Sequence, residues 1–366
     1  MELTGLGYET RLQRSPDPSL NGLHELERCL TTGGEPNPTA PRTPEPEEEP
    51  QARKELAPPG ILSPEAIVLL APFSIFGLLA RLGIEAITTY SNQSVFTLAW
   101  VQAVGCLVMG IAQSQKTYIM AFYPPLYLGI TTGFCGSLTT FAGWQRDVFI
   151  AWTNKPFNEA SGWQSFIDGA TRLLFTQAIS MGSFLLGLSI GHHEFQVTPS
   201  IPPRKLRLLI AVVSLLAYIA CFPLFFLLSP SYRSMATAAL LFSWPGSLTR
   251  HLFGSFLNAR VPHFPLGTFL SNMLGTCVTS VAYVLQNLDA IHCNITAMAL
   301  LQGLSDGYAG CLSTVSTYAA EVNLMSRRHG WRYVLASWIT AQLILVLIVG
   351  SPKWSGHLTP NITSCS

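Results

Sequence analysis

The nine residues Gly133-Phe134-Cys135-Gly136-Ser137-Leu138-Thr139-Thr140-Phe141 recur, altered but readable, as Gly307-Tyr308-Ala309-Gly310-Cys311-Leu312-Ser313-Thr314-Val315. Both copies lie inside long apolar segments. A helix in an apolar medium must satisfy its own backbone, and clusters of glycine and threonine mark where that ladder can be interrupted and repaired by neighbours. Two such interruptions about half a chain apart suit an internally duplicated transporter or channel better than a membrane anchor.

Composition supports a membrane setting. Of 366 residues, 49% are hydrophobic and 11% are charged, against roughly 25% charged in an ordinary soluble domain. The first 60 positions hold 11 acidic and 6 basic residues, leaving 9 acidic and 15 basic for all that follows. That remainder is too little charge to coat a soluble surface of this size. The same 60 residues carry 10 of the 25 prolines and the run Glu45-Pro46-Glu47-Glu48-Glu49-Pro50. They read as a disordered cytoplasmic tail without the pattern of a cleaved signal peptide. The cysteines Cys29, Cys106, Cys135, Cys221, Cys277, Cys293, Cys311 and Cys365 are scattered without metal-binding spacing, so most serve as small hydrophobes.

A hydrocarbon layer about 30 Å thick needs roughly 20 apolar residues per crossing. On that ruler about nine spans are expected, at 62–89, 94–114, 122–147, 160–190, 208–229, 234–257, 264–286, 294–324 and 332–350. The first, third, fourth and eighth are long and contain Gly, Thr or charge, so bends or breaks are expected there. A cytoplasmic N-terminus places Lys116, Arg204, Lys205, Arg207, Arg260, Arg327, Arg328 and Arg332 inside, against Arg146, Lys155, Arg233 and Lys353 outside. The sequons at Asn92, Asn294 and Asn361 fall outside in the same arrangement.

Further correspondences extend the repeat. Gly77-Leu78-Leu79-Ala80-Arg81 answers Gly246-Ser247-Leu248-Thr249-Arg250, and Gln102-Ala103-Val104-Gly105 answers Asn272-Met273-Leu274-Gly275. Each opening block is followed by an acid 14 residues after its first glycine, Asp147 and Glu321. The fifth span has no counterpart, and one extra crossing inverts the second half relative to the first. The expected fold is an all-α polytopic membrane protein: two antiparallel four-helix inverted repeats joined by one linker transmembrane helix. Its organisation reads as the tail at 1–60, a first repeat at 61–192, a linker with a single transmembrane helix at 193–231, a second repeat at 232–352 and a short extracellular tail at 353–366.

The Gly/Thr block, the membrane-embedded Gly-xxx-Arg and the stretch Gly267-Thr268-Phe269-Leu270-Ser271-Asn272-Met273-Leu274-Gly275 resemble, in order and twice, the fluoride channels called Fluc or CrcB. The fused arrangement with a linker helix resembles their eukaryotic fluoride export relatives, over roughly residues 65–350. The resemblance implies a passive channel, acting as a single pseudo-dimeric chain in the plasma membrane, with fluoride and the lipid bilayer as partners and no nucleic acid. Fluoride is small and tightly hydrated, so its path must replace water with well-placed donors. Asn, Ser and Thr supply them without a trapping charge, and ring edges are electropositive.

Each pore in that family takes one aromatic from each repeat. The implied pairs are Phe141 with Tyr318 and Trp144 with Val315, so only the first keeps two rings. One conducting and one vestigial pore are therefore expected. The implied pore-lining set is Phe141, Tyr318, Asn272, Thr140, Thr314, Ser316, Trp144 and Gln102, with Arg81 and Arg250 as vestibule cations at the pore mouths. Asp147 and Glu321 are candidate partners for those arginines, and Tyr333 and Ser337 could extend a polar track. The resemblance also implies a structural sodium ion held by backbone carbonyls of Gly136, Thr139, Gly310 and Ser313. Small-residue packing is the alternative reading of those four.

Two other classes remain. A proton-driven exporter needs a titratable acid at mid-membrane, and Glu85, Asp168 and Asp306 are the candidates, although Arg172 stands at i,i+4 from Asp168 and suits a structural pair. A non-transporting scaffold would leave the repeated block without a role. No nucleophile or acid–base cluster suggests an enzyme.

Overall fold

A computed structural model describes residues 62–90, 93–94, 97–153, 162–192, 201–227, 235–288, 291 and 294–356. The expected tail at 1–60, the sequons at Asn92 and Asn361, Lys155, Arg233 and residues 357–366 lie outside them.

The first repeat opens with α1 (Pro64–Thr88), where the Ser63 hydroxyl accepts from the Ala66 amide at 3.3 Å and proline fills the first turn. A two-residue antiparallel pair, β1 (Thr89–Tyr90) and β2 (Gln93–Ser94), follows, then α2 (Thr97–Ser114) and a short α3 (Lys116–Phe122). The next crossing is built from α4 (Pro124–Leu128), a π-helical stretch Gly129–Cys135, α5 (Gly136–Leu138) and, after a break, α6 (Phe141–Thr153). α7 (Gly162–Gly191) completes the repeat.

The linker comprises α8 (Arg204–Ile219) and α9 (Cys221–Leu227). The second repeat then restates the first: α10 (Met235–Leu257), α11 (Leu266–Gln286), α12 (Ile295–Gly303), a π-helical stretch Leu304–Ala309, α13 (Gly310–Leu312), and α14 (Ser316–Leu324). Last come α15 (Arg327–Leu345), a third π-helical stretch Val346–Gly350 and α16 (Ser351–Trp354). Pro64–Thr88, Gly162–Gly191, Arg204–Leu227, Leu266–Gln286 and Arg327–Trp354 are long and apolar enough to cross a membrane, with Leu98–Ser114 a shorter apolar helix. The chain is an all-α, multi-pass membrane protein.

Breaks occur in the third and eighth expected spans. The first runs unbroken as α1 across Pro72, and the fourth runs unbroken as the 30-residue α7. Small residues in those two helices serve close packing instead of interruption. The last helix begins at Arg327, ahead of the expected 332, because a helix continues past the hydrocarbon layer with exposed Arg327 and Arg328 in its first turn. The short α3 falls in an expected loop.

The two breaks are near-copies in backbone geometry. Thr139 has φ −84° and ψ 149°, and Ser313 has φ −83° and ψ 149°. Close approach to the broken segment explains Gly77 and Gly246, since a Cβ on either would overlap the carbonyl oxygen of Phe134 or Tyr308 respectively. α1 and α10 pack together, and the linker lies along both. Tyr218, Cys221 and Phe225 bury against Ala71, Ile75, Leu78 and Ala238, and the Tyr218 hydroxyl donates to the Leu241 carbonyl at 2.8 Å. The linker's remaining surface is apolar, with Leu208 64% and Leu227 82% exposed, as a lipid-facing helix requires.

Candidate functional site

The centre of the molecule is where the two broken helices meet. An α-helix that restarts after a break presents N–H groups that need acceptors, and here each copy caps the other. The Thr139 hydroxyl accepts from the Val315 and Ser316 amides, at 3.3 and 3.2 Å, at the start of α14. The Ser313 hydroxyl accepts from the Ala142 amide at 3.1 Å at the start of α6. Within each copy, Thr140 and Thr314 accept from Gly143 at 3.3 Å and Thr317 at 3.4 Å. The hydroxyls also meet across the axis: Thr139 with Thr314 at 3.1 Å, Thr140 with Ser313 at 3.2 Å, and Thr139 with Ser316 at 3.1 Å.

Gln102 and Asn272 stand one on each side of this knot and do equivalent work. The Gln102 amide donates to the Thr140 carbonyl at 2.7 Å and accepts from its N–H at 3.3 Å. Asn272 donates to the Thr314 carbonyl at 3.3 Å and accepts from its N–H at 2.8 Å. Both side chains are fully buried. Each amide thus substitutes for the partner that the broken ladder lost.

Arg81 and Arg250 reach across the pseudo-symmetry axis. Arg250 donates through Nη1 to the Gly136 carbonyl at 2.8 Å and through Nη2 to the Thr132 carbonyl. Arg81 donates through Nη2 to the Asp306 carbonyl, the counterpart of Thr132. Only glycine leaves room for this: a Cβ on Gly136 or Gly310 would overlap the opposing guanidinium. Both arginines are nearly fully buried, 2% and 4% exposed. No carboxylate pairs with either among the described residues. Asp147 stands 3.4 Å from Arg146 instead, and Glu321 accepts from Thr268 at 2.5 Å, Tyr333 at 3.0 Å and Asn258 at 3.2 Å. The expectation of carboxylate partners fails because π-helical turns expose carbonyls that a guanidinium fork fits. The Asp168–Arg172 pair does form, at 3.0 Å on an exposed surface.

Arg81 also lines a cavity of about 260 Å³ with Glu85, Arg146, Asp147, Gln302 and Asp306. Thr140, just before α6, lines it with Gly143 and Asp147 from one side of that helix, while Phe141, Trp144 and Gln145 occupy another face.

That second face carries a run of aromatic rings. From Trp338 the centroid spacings are 6.2 Å to Trp144, 5.6 Å on to Phe141 and 5.7 Å across the two copies to Tyr318. They continue at 5.3 Å to Tyr333, 5.3 Å to Phe264 and 5.2 Å to Phe269. Phe141 and Tyr318, the expected pair, are therefore in contact, and Val315 and Trp144 bury in the same cluster. The Tyr318 hydroxyl donates to Gln177 Oε1 at 3.2 Å. Ser337, fully buried between Tyr333 and Trp338 on α15, has no hydroxyl partner among the described residues, and neither has Ser271 on α11.

Several participants had no sequence signal. Gln177, Gln145, Gln342 and Trp338 are isolated polar or aromatic residues in apolar helices, and neither a motif nor a period marks them. Ser271 was visible only as part of the quoted Asn272 motif.

Any resident cation at the break must fit the carbonyls available. Those of Thr139 and Ser313 accept no hydrogen bond among the described residues, and such freed oxygens are hard donors suited to sodium. The Gly136 carbonyl already accepts from Arg250 but retains a second lone pair. The donor set is chemically compatible with the ion.

Comparison with known proteins follows the same two halves. The family model described as CrcB-like protein, Camphor Resistance (CrcB), matches residues 68–188 and again 237–351. Fluoride export protein 1 of Neurospora crassa is 30% identical over 77% of this chain and 65% of its own length, so the chain spans just under two thirds of that relative. Fluoride export protein 1 of Schizosaccharomyces pombe is 30% identical over 78% of this chain and 94% of its own length. The fluoride-specific ion channel FluC of Nitrosospira multiformis is 31% identical over 30% of this chain and 85% of its own, the extent of one repeat. No solved structure matches. A twice-matched family model, two breaks with matching backbone angles and reciprocal arginines all say the same thing: the chain belongs to the CrcB-like family.

Proposed function

We propose that the chain is a passive fluoride channel that lets cytoplasmic fluoride leave across the plasma membrane, with its N-terminus in the cytoplasm. The observation that carries the reading is the ring contact between Phe141 and Tyr318, one from each copy, with centroids 5.7 Å apart. The pseudo-equivalent contact has Val315 in place of a ring. Conduction therefore runs along the Phe141–Tyr318 side, with Asn272, Thr140, Thr314 and Ser316 shaping the break beside it. The pore that would pair Trp144 with Val315, with Gln102 as its amide, is vestigial.

The printed functions of the fungal and bacterial relatives support fluoride as the cargo. An inside-negative potential drives anion exit by about 2.3 kcal/mol per charge per 100 mV, so no coupling ion is needed. Arg81 serves the outer cavity as an attractive charge, while Arg250 is chiefly a clamp. A structural sodium ion on the carbonyls of Thr139 and Ser313, with those of Gly136 and Gly310, fits the break and takes no part in transport. The domain organisation at 61–192, 193–231 and 232–352 agrees with the two matched stretches, and a single chain supplies both halves of the pseudo-dimer within the bilayer.

Purified protein in liposomes should release trapped fluoride when a potassium ionophore balances charge, and a proton gradient should not change the rate. Absence of efflux from intact protein sinks the channel reading. Strict dependence on a proton gradient would instead favour an exporter using the cavity acids Glu85 and Asp306.

A further inference from the structure

One helical turn beyond Phe141, on the same face of α6, stands Gln145, which is fully buried. Gln342 of α15 reaches it, donating through Nε2 to the Gln145 carbonyl at 3.0 Å and to its Oε1 at 2.9 Å. Those two bonds orient the Gln145 amide and leave its Nε2 without an acceptor among the described residues. The indole Nε1 of Trp338, one turn before Gln342 on α15, makes no hydrogen bond within 3.5 Å among the described residues, and the Tyr318 hydroxyl is the acceptor on its side. Trp338 is tied to the aromatic run by its perpendicular contact with Trp144.

A buried amide donor left unpartnered, with a second donor held only loosely, is uncommon in a folded protein, where such groups are nearly always satisfied. They are what an anion needs. Farther along α6 and α15, Phe149 and Leu345 pack with Val349 in a small apolar cluster. The other copy is not built this way: in the register that aligns Phe141 with Val315, Gln145 corresponds to buried Ala319. Gln342 Oε1 is likewise unpartnered, and being an acceptor it would hold a water that travels with the ion.

We infer that Gln145 Nε2 and Trp338 Nε1, oriented by Gln342, form a donor station for a small anion on the outward side of Phe141, present in one copy only. This rests on the channel reading, with fluoride as the anion that occupies the station. Gln145 and Trp338 are binding residues; Gln342 positions one of them.

The test is fluoride efflux from liposomes holding the full chain, as wild type, Gln145→Met, Trp338→Phe and Ser180→Ala. Gln145→Met keeps side-chain volume but removes both amide groups, and Trp338→Phe keeps a ring while removing the N–H. Each should slow efflux about tenfold or more and raise the fluoride concentration that half-saturates the rate. Ser180, whose hydroxyl is satisfied by the Thr176 carbonyl at 2.6 Å, should tolerate alanine within about twofold. Gel filtration identifies any variant that has lost its fold, and the donor variant that remains monodisperse decides. Wild-type efflux with that variant conducting at the wild-type rate overturns the station and leaves the channel intact. A silent wild type overturns both.

Discussion

Thr139 caps a helix to which it does not belong: its hydroxyl accepts from the Ser316 amide at 3.2 Å, and Ser316 opens α14 of the opposite repeat. Ser313 returns the arrangement by accepting from Ala142 at the start of α6. The breaks are therefore a joint construction, and neither half can form its restarted helix alone. Removing the Thr139 hydroxyl should cost about 1–2 kcal/mol, in the upper range of N-cap losses, because two buried amides lose their acceptor together. Thermal unfolding in detergent should place Thr139→Val well below wild type, with Thr139→Ser close to it. Equal melting of Thr139→Val and wild type would dissolve the cross-capping account.

The arginine clamps make a sharper demand on stability. Arg250→Leu strands the carbonyls of Thr132 and Gly136 in a buried site, with an expected loss of roughly 2–3 kcal/mol. Gly310→Ala should be nearly as harmful although it removes nothing, since its new Cβ overlaps Arg81. Combining Gly310→Ala with Arg81→Ala should recover part of the loss that either causes, as coupled neighbours do. Strict additivity in that double mutant, read by chemical denaturation or melting, would contradict the contact.

Asn272 offers a discrimination between capping and conduction. Asn272→Asp keeps the acceptor for the Thr314 amide and removes the donor to its carbonyl while adding negative charge beside the anion path. Fluoride efflux should fall at least about tenfold. Gln102→Glu makes the same change in the other copy and should leave efflux within about threefold of wild type. Similar losses from both would mean that the two copies conduct alike.

Sodium at the break predicts a cation dependence without transport. Replacing sodium on both sides with a bulky organic cation should lower melting temperature and efflux together, because only the folded break offers Thr139 and Ser313 carbonyls in register. No change in either quantity after exhaustive exchange would remove the ion from the account.

The repeat, the breaks and the linker were legible because their chemistry is local. Gly/Thr clusters in apolar helices announce an interrupted ladder wherever they sit, and the Gly133 and Gly307 blocks adopt the same backbone angles. What surrounds a break is decided by tertiary placement. Arg81 and Arg250 read as cations at pore mouths, with Asp147 and Glu321 as alternative partners, yet they bind the carbonyls of Asp306, Thr132 and Gly136 across the two breaks. Gln145 and Gln342 are far apart in sequence and carry no periodic signal, so their pairing was invisible. The long α7 runs without a break: glycines that pack helices closely look the same in sequence as glycines that break them.

The central claim is that the pore lined by Phe141 and Tyr318 conducts while the one pairing Trp144 with Val315 has become scaffold. Liposome efflux of fluoride for wild type, Phe141→Ile and Val315→Phe, measured side by side on monodisperse protein, tests it most directly. The account predicts a loss of about tenfold or more for Phe141→Ile and a rate within about twofold of wild type for Val315→Phe. Near-normal efflux from Phe141→Ile, or a block by Val315→Phe as deep as that of Phe141→Ile, would contradict it.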